Sequence, residues 1–164
     1  MASGNTLLVF TALHNEPPSS NPATFDTRNQ HPVLDFDAGT NEDAVFTGVM
    51  PQHYSGTTGV TVYIHYSMSS AVALTIDWDV AFELIGDGDQ DIDSDGFAAV
   101  QSVDNTTVPG TSGLVDVVSV AFTDGAQMDS VAAGDLFRIK VTRDAVSDDA
   151  TGDGELHSVE IRET

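Results

Sequence analysis

An acidic stretch between two candidate strands holds the residues whose spacing is most suggestive of chemistry. In IGDGDQDIDSDGF, residues 85–97, aspartates occupy every second position: Asp87, Asp89, Asp91, Asp93 and Asp95. The second half of this stretch matches the start of the calcium-loop pattern D-x-D-x-D-G, but Ser102 stands where a bidentate Glu is required. Candidate strands flank the stretch, so an EF-hand is excluded. Two alternatives stay open: a calcium ion held by carboxylates and carbonyls, or an acidic turn.

Other patterns that could support catalysis or metal binding are weaker. A second acidic stretch, SDDATGDGE at 147–155, carries the same ambiguity with a poorer match. No G-x-S-x-G elbow, Gly-rich phosphate loop or cysteine is present. The histidines show neither H-x-H nor helical spacing, so a zinc or iron site would need distant strands to converge: His14, His31, His53, His65 and His157. We therefore expect no enzymatic activity and no cofactor, with calcium as the one candidate ion.

The charge balance restricts the partners of the chain. Twenty-six acidic residues, twenty of them Asp, face five basic ones, which gives a net charge of −21. Such a surface repels nucleic acid and anionic lipid, and no segment approaches the roughly 20 apolar residues of a membrane helix. We expect neither nucleic acid nor a membrane as a partner. The N-terminal residues lack a charged region and a cleavage site, so no secretory signal peptide is predicted.

The five basic residues are unevenly distributed. Arg28 stands alone, and the others lie near the C-terminus: Arg138, Lys140, Arg143 and Arg162. On so acidic a chain, most of them are expected to pair with carboxylates within the domain or on a neighbour. Solvated surface pairs are the expected form.

Apolar and polar residues alternate along most of the chain, which predicts half-buried β-strands. The apolar face of the segment 73–85 consists of Leu74, Ile76, Trp78, Val80, Phe82 and Leu84. The same alternation occurs at 59–66 and 136–144. Further candidate strands are 6–13, 33–37, 44–50, 97–103, 114–122 and 155–163. Nine short strands separated by Gly, Pro, Asn and Asp clusters predict an all-β, antiparallel sandwich.

Two segments depart from this alternation. Residues 124–135 predict one short helix, capped by an Asp and ended by Gly134. Residues 15–32 hold four of the six prolines and predict an extended surface segment. The predicted organisation is a first strand plus Pro-rich arm over 1–32 and a single sandwich domain over 33–164. Eight or nine strands with uneven connections favour a jelly roll, and an immunoglobulin-like sandwich is the alternative.

The aromatic residues suggest a possible sugar platform. Tyr54, Tyr63, Tyr66 and Trp78 are the candidates, and Asp- and Asn-rich loops suit hydroxyl groups. The strand alternation places Trp78 and Tyr66 on the core side. Only Tyr54 and Tyr63 are then left for a platform.

Two longer segments, 24–51 and 121–145, resemble a β domain of virion proteins from tailed bacteriophages and prophage-like genes. The shared motifs are HPVLDFD (31–37), VFTGVMP (45–51) and AGDLFRIKVTRD (133–144), and WDVAFE (78–83) and PGTSG (109–113) also fit. The resemblance covers most of the chain and maps no catalytic residue. It implies a phage structural component, a jelly roll that forms trimers.

Within a virion, the acidic charge favours the capsid exterior, away from packaged DNA, and we therefore expect a head decoration (cement) protein. Such a protein is made in the host cytoplasm, binds the major capsid protein on the capsid exterior, and is expected here as a homotrimer. Predicted capsid or subunit contacts are Leu7, Val9, Phe10, Pro17, Pro18, Phe25, Arg28, Arg138, Lys140 and Arg143. Deleting residues 1–22 is expected to abolish shell binding and to leave a folded domain.

The alternative function is a tail-fibre or receptor-binding module that recognises host surface carbohydrate. In that case a calcium ion at Asp87–Asp95 would shape the site. Copy number per virion separates the two functions. A count near that of the capsid subunit, or a simple fraction of it, indicates decoration, and a handful of copies indicates a tail location.

Overall fold

The computed structural model describes residues 4–71 and 73–164, and its regular structure is almost entirely β. The ten strands are β1 Thr6–Thr11, β2 Thr24–Arg28, β3 His31–Phe36, β4 Glu42–Val49, β5 Val60–Met68, β6 Thr75–Ile85, β7 Gln101–Thr107, β8 Asp116–Phe122, β9 Leu136–Arg143 and β10 Gly154–Glu163. Short 3-10 turns occur at Ala12–His14 and Ala126–Met128. In the described part of the chain, no helix is long and apolar enough to cross a membrane.

Two antiparallel sheets pack face to face. Sheet A has the order β2-β3-β10-β5-β8, with β1 also paired to β10, and sheet B has the order β4-β9-β6-β7. Two strands share one edge of β10: the first residues of β10 pair with β3, and its later residues pair with β1. Strands β3 to β10 thus follow the interleaved order of two Greek keys, to which β1 and β2 are additions. The predicted jelly roll is confirmed, and the immunoglobulin-like alternative is not adopted.

The predicted alternation places the expected residues in the core. Apolar side chains of β5 and β9 are fully buried: Val60, Val62, Ile64 and Tyr66 from the first, and Phe137, Ile139 and Val141 from the second. Trp78 lies at the centre, edge-to-face with Phe36 and Tyr66 at centroid distances of 5.1 and 5.5 Å. Such aromatic pairs add to the free energy gained by burial alone, so this cluster anchors the two sheets to each other.

The polar face of β6 is less exposed than the alternation predicts. Asp77 and Glu83 are buried, although both were expected on the solvent side. Asp77 accepts a hydrogen bond from the backbone N–H of Asn105, and Glu83 pairs with Arg138. Buried carboxylates persist only with such partners, so β6 has two covered faces. The neighbouring strand β7 begins at Gln101 rather than at residue 97.

The segment predicted as a Pro-rich arm lies along its own domain. The backbone N–H of Glu16 donates to Val45 O at 2.8 Å, and that of Ala23 donates to Asp43 O at 2.9 Å. These bonds cover the free edge of β4, which would otherwise invite pairing with another chain. The Pro-rich segment is therefore an extended surface segment bonded to its own domain rather than a free arm.

Strand β2 is absent from the sequence-based prediction. It pairs with β3 through a two-residue turn in which Asn29 and Gln30 have φ of 45° and 68°. Positive φ at both positions is the type I′ hairpin geometry, for which Asn is a favoured residue. With β1 and β2 both in sheet A, the boundary predicted at residue 32 does not separate two parts of the fold.

The predicted helix over residues 124–135 is reduced to one 3-10 turn. Gly125 stands at its N-cap position without a side-chain hydrogen bond, and the turn ends where Asp129 adopts φ of 54°. Asp124 instead accepts a hydrogen bond from the Tyr54 hydroxyl at 2.8 Å. Gly134, with φ of 90°, lies in the turn before β9 and does not end the helix.

Candidate functional site

The acidic loop between β6 and β7 exposes all five of its aspartates. Its hydrogen bonds are local: the N–H groups of Asp93 and Asp95 donate to Asp91, and that of Gly96 donates to Asp95. Across residues 4–71 and 73–164, no group of three or more His, Asp or Glu side chains is arranged to hold a metal ion. The calcium site at Asp87–Asp95 stays a prediction, and the local bonds are those of an acidic turn.

The second acidic stretch is organised by a buried arginine. Arg143 pairs with Asp148 at 2.8 Å, with side-chain exposures of 0% and 1%. Its guanidinium also donates to the backbone oxygens of Phe36, Gly152 and Ala150. The stretch is therefore folded around a cation of the same chain. Arg143 is corrected from a surface contact to a core residue.

The remaining arginines also pair with carboxylates, as the charge balance predicts. The pairs are Arg28–Glu155, Arg138–Glu83 and Arg162–Glu160. The Arg138 guanidinium and the Lys140 ammonium each lie 5.1 Å from the centroid of the Phe97 ring. Arg138 and Lys140 are both half-buried on the outer face of sheet B, where another subunit could still reach them.

The predicted contact residues of the first strand divide between the core and the surface. Leu7 and Phe10 are buried, and Phe10 stacks on Phe46 at 5.5 Å, so neither is available to a second subunit. This burial also corrects the expected result of deleting residues 1–22, because that deletion removes a strand and part of the core. Val9, on the opposite face of β1, is exposed.

An apolar groove gathers part of the predicted contact set. It has a volume of about 430 Å³, and its apolar lining consists of Ala12, Leu13, Pro17, Pro22, Ala23, Phe25 and Leu34. Leu13 is 68% exposed and Phe25 52% exposed, and both line the groove. Pro18 lies next to it and is half-buried. We call this feature the apolar groove.

A polar pocket lies on the outer face of sheet A, between the β2–β3 hairpin and the loop before β8. Its volume is about 460 Å³, and its lining is Arg28, Asn29, His31, Ser112, Gly113, Val115 and His157. We call it the hairpin pocket. It unites two of the motifs in the phage resemblance, the hairpin within 24–51 and PGTSG at 109–113. Neither motif by itself indicated that they meet.

Arg28 holds the hairpin pocket together. Its Nη1 donates to Glu155 and to the backbone oxygen of Met68, and its Nη2 donates to Ser112 Oγ at 2.7 Å. Gly113, with φ of 79°, brings its backbone against the guanidinium, and a Cβ there would lie 2.9 Å from Arg28 Nε. Arg28 therefore joins β2, β5, β10 and the loop before β8.

A serine and a histidine beside this pocket share a hydrogen bond whose direction is wrong for nucleophilic catalysis. Ser67 Oγ lies 2.7 Å from Glu155 Oε2 and 2.9 Å from His157 Nε2. A carboxylate paired with Arg28 only accepts, so the hydroxyl proton goes to Glu155 and His157 Nε2 must donate to the serine. A catalytic base would have to accept that proton. The three residues support the pocket and do not activate a nucleophile.

The surroundings of His157 keep its imidazole neutral. Burial lowers the pKa of His157 below its ordinary value, and the nearby His31, Arg28 and His65 lower it further, whereas Glu155 raises it. Three histidines from different strands thus converge here, which their sequence spacing did not indicate. They are not arranged as metal ligands within the described residues.

A small acidic cavity is formed where β2, β3 and β4 meet the turn before β10. It has a volume of about 180 Å³ and is lined by Thr24, Asp35, Asp37, Glu42 and Asp153. Burial raises the pKa of Asp35 to about 6, and the neighbouring carboxylates Asp26, Glu155 and Asp153 raise it as well. Within the described residues, Asp35 Oδ1 is buried without a hydrogen-bond partner. Asp35 therefore keeps its proton up to about pH 6, well above the range of an ordinary aspartate, and is mostly ionised at pH 7.

The aromatic platform considered from the sequence is not formed. Trp78, Tyr66 and also Tyr54 are buried. Tyr63 is half-buried, and its ring lies under the Arg162 guanidinium at 4.2 Å. No pair of these four rings offers an open stacking surface.

Comparison with solved structures identifies the fold. A family 35 carbohydrate binding module from an environmental isolate matches with a TM-score of 0.54 and 10% identity, over 94% of this chain and 92% of that one. The xylan-binding module CBM15 matches with a TM-score of 0.52 and 11% identity, over 96% and 97%. The insecticidal delta-endotoxin Cry8Ea1 from Bacillus thuringiensis matches with a TM-score of 0.51 and 11% identity, over 96% and 24%.

Sequence comparisons add no family to this result. No protein-family model matches the chain. Curated proteins likewise yield no match. Since identities near 10% carry information about fold alone, the likeness identifies a jelly-roll β-sandwich of the kind found in binding and structural modules.

Proposed function

We propose that this chain is a non-catalytic head decoration (cement) protein of a tailed-phage virion, bound to the capsid exterior. The observation that carries the proposal is the apolar groove, flanked by the exposed side chains of Leu13 and Phe25 on a chain with a net charge of −21. Contiguous exposed apolar surface on so polar a molecule is typical of a docking site. The sequence resemblance to phage virion proteins supports the same function.

The proposed occupant of the groove is an apolar segment of the major capsid protein flanked by basic residues. Glu16 and Asp26, next in sequence to the groove residues Pro17 and Phe25, are exposed, and their charges favour a cationic flank. A second copy of this chain is disfavoured there, because two such acidic surfaces repel each other.

The homotrimer is part of the same proposal and uses other residues. Val9, Arg138 and Lys140 are the accessible members of the predicted contact set outside the apolar groove and the hairpin pocket. A trimer that engages several capsid subunits gains avidity without strong individual contacts. Because it binds only the assembled shell, it stabilises that state. Sedimentation equilibrium of the purified chain measures whether the trimer forms before docking.

Shell binding is tested by co-sedimentation with capsids that lack this protein. The double variant Leu13→Ser, Phe25→Ser is expected to bind at least tenfold more weakly, because it removes the apolar walls of the groove. Ile92→Ser is the matched control, since Ile92 is 73% exposed in the acidic loop and outside the groove. A double variant that decorates shells as well as the unmodified chain would overturn the docking site. A copy number of a few per virion would overturn the decoration function itself.

The second candidate function is recognition of carbohydrate on the host surface. The observation that favours it is the hairpin pocket, whose walls are held by the internal bonds of Arg28. The fold is shared with modules described as carbohydrate-binding and xylan-binding. Retention of host-cell binding by the isolated chain, together with a low copy number, would favour this function over decoration.

A further inference from the structure

We infer that the hairpin pocket binds one ring of a neutral sugar. The inference rests on the carbohydrate-recognition candidate and specifies its site and ligand class. It does not depend on shell docking at the apolar groove, which has different lining residues. The volume of the hairpin pocket, about 460 Å³, falls within the range of about 300–1,000 Å³ that is usual for small-ligand sites.

The walls of the pocket are preorganised. Three groups from separate parts of the chain accept hydrogen bonds from the Arg28 guanidinium: Glu155, the backbone oxygen of Met68 and Ser112 Oγ. Gly113 packs closely against it. The backbone of Asn29, next to Arg28 at the tip of the hairpin, is fixed by the type I′ turn. A ligand that enters such a site does not have to order it first, so little binding free energy is lost to rearrangement.

The polar groups of the pocket match hydroxyl groups, which both donate and accept. Arg28, one third exposed, supplies N–H donors, and the Asn29 amide supplies both a donor and an acceptor. Because His157 Nε2 donates to Ser67, the Nδ1 atom of the neutral ring is an acceptor. Donors and acceptors therefore line one pocket, as adjacent hydroxyl groups of a sugar ring require.

The charges of the pocket select against acidic ligands. The Arg28 charge is already balanced by Glu155 at 2.6 Å, and His157 is held neutral. The net charge of −21 adds a repulsion that any carboxylate, sulfate or phosphate has to overcome. A neutral pyranose meets neither obstacle.

One wall offers an apolar contact. Val115 lines the pocket and is 55% exposed. The C–H face of a sugar ring is apolar and can cover such a side chain. Burial of this apolar contact contributes favourable binding free energy. Hydrogen bonds to the sugar hydroxyl groups contribute less, because they only replace hydrogen bonds to water.

The test is binding of the purified chain to an array of neutral and acidic glycans, followed by titration of the best neutral ligand in ¹H–¹⁵N NMR. We expect binding to at least one neutral glycan, with amide shifts concentrated at residues 28–31, 112–115 and 157. Asn29→Gly, which keeps the positive φ, and His31→Ala are expected to weaken binding at least tenfold. His53→Ala, an exposed histidine outside the pocket, is the matched control and should bind normally.

Three outcomes would overturn the inference. They are no binding to any neutral glycan, binding restricted to acidic glycans, and amide shifts located away from the pocket. Shell co-sedimentation of Asn29→Gly distinguishes this failure from failure of the proposed decoration function. Normal shell binding by that variant would show that the sugar site in the hairpin pocket is separate from the shell-docking site in the apolar groove. If Asn29→Gly loses shell binding, the pocket belongs to the capsid contact and the sugar inference is abandoned.

Discussion

Arg143 and Asp148 form an ion pair inside the sandwich, and neither side chain is more than 1% exposed. The other three N–H groups of the guanidinium donate to three backbone oxygens. In a chain with a net charge of −21, one of only five basic residues is thus fully withdrawn from solvent. Its position ties the end of β9 to the loop before β10.

Asp148→Asn is expected to destabilise the chain by about 3 kcal/mol, because it leaves the buried Arg143 cation without a compensating charge. The measurement is the free energy of unfolding in urea. Arg162→Gln is the control, since the Arg162–Glu160 pair is partly exposed, and it should give a clearly smaller loss. Equal losses for the two variants would contradict the structural role of the buried pair.

Gly113→Ala is expected to destabilise the chain by about 2 kcal/mol. A Cβ at this position would meet the Arg28 guanidinium, and the φ of 79° disfavours any side chain. Gly56→Ala separates the two effects, because its φ is 66° but nothing lies within 4 Å of the added atom. Thermal unfolding of both variants measures the difference. A Gly113 variant no worse than the Gly56 variant would mean that the contact with Arg28 is unimportant.

Asp35→Asn is expected to raise stability near pH 7 by about 1 kcal/mol, a value discounted for the openness of the cavity. The pKa of Asp35 is about 6 in the folded chain, against an ordinary value of 3.8. Between these values the folded state binds more protons than the unfolded state, so stability falls as pH rises from about 4 to 6. Unfolding free energies across this interval should fall less steeply for the variant. An unchanged pH profile would show that Asp35 titrates normally.

If the loop 85–97 is an acidic turn and not a calcium site, calcium is expected to stabilise the chain no more than magnesium does at the same concentration. The five aspartates of the loop 85–97 are exposed, and no three acidic or histidine side chains within 4–71 and 73–164 are arranged around a shared point. Divalent ions should therefore act by screening the net charge. Melting temperatures in matched CaCl₂ and MgCl₂ provide the measurement. A rise specific to calcium and lost in Asp91→Asn would establish the calcium site.

The strands and their buried faces were largely predictable, because a half-buried strand has period two. The inward residues of β5 and β9 follow that period without interruption. The same period places Arg143 inward, two residues after Val141. An arginine in a core is unusual without its partners, however, and Asp148 is recognisable as the partner only in the fold.

Other features had no reliable local signal. Strand β2 was not predicted, because Gln30 in the turn and Pro32 at the start of β3 are both uncommon in a hairpin. The bulge in β10 between Leu156 and Ser158 shifts the register against β5 at His157. Period-two reasoning does not anticipate such a shift.

The sequence by itself determined an acidic, all-β sandwich and favoured a jelly roll, because charge is additive along a chain and strand alternation is local. Only the tertiary structure decided which surfaces are usable. It withdrew Leu7, Phe10 and Arg143 into the core, and it joined Arg28, Ser112 and His157 in one pocket. Arg28, Ser112 and His157 lie far apart in the chain. Their proximity depends on the order in which strands from both ends of the chain interleave, and that order is a property of the whole fold.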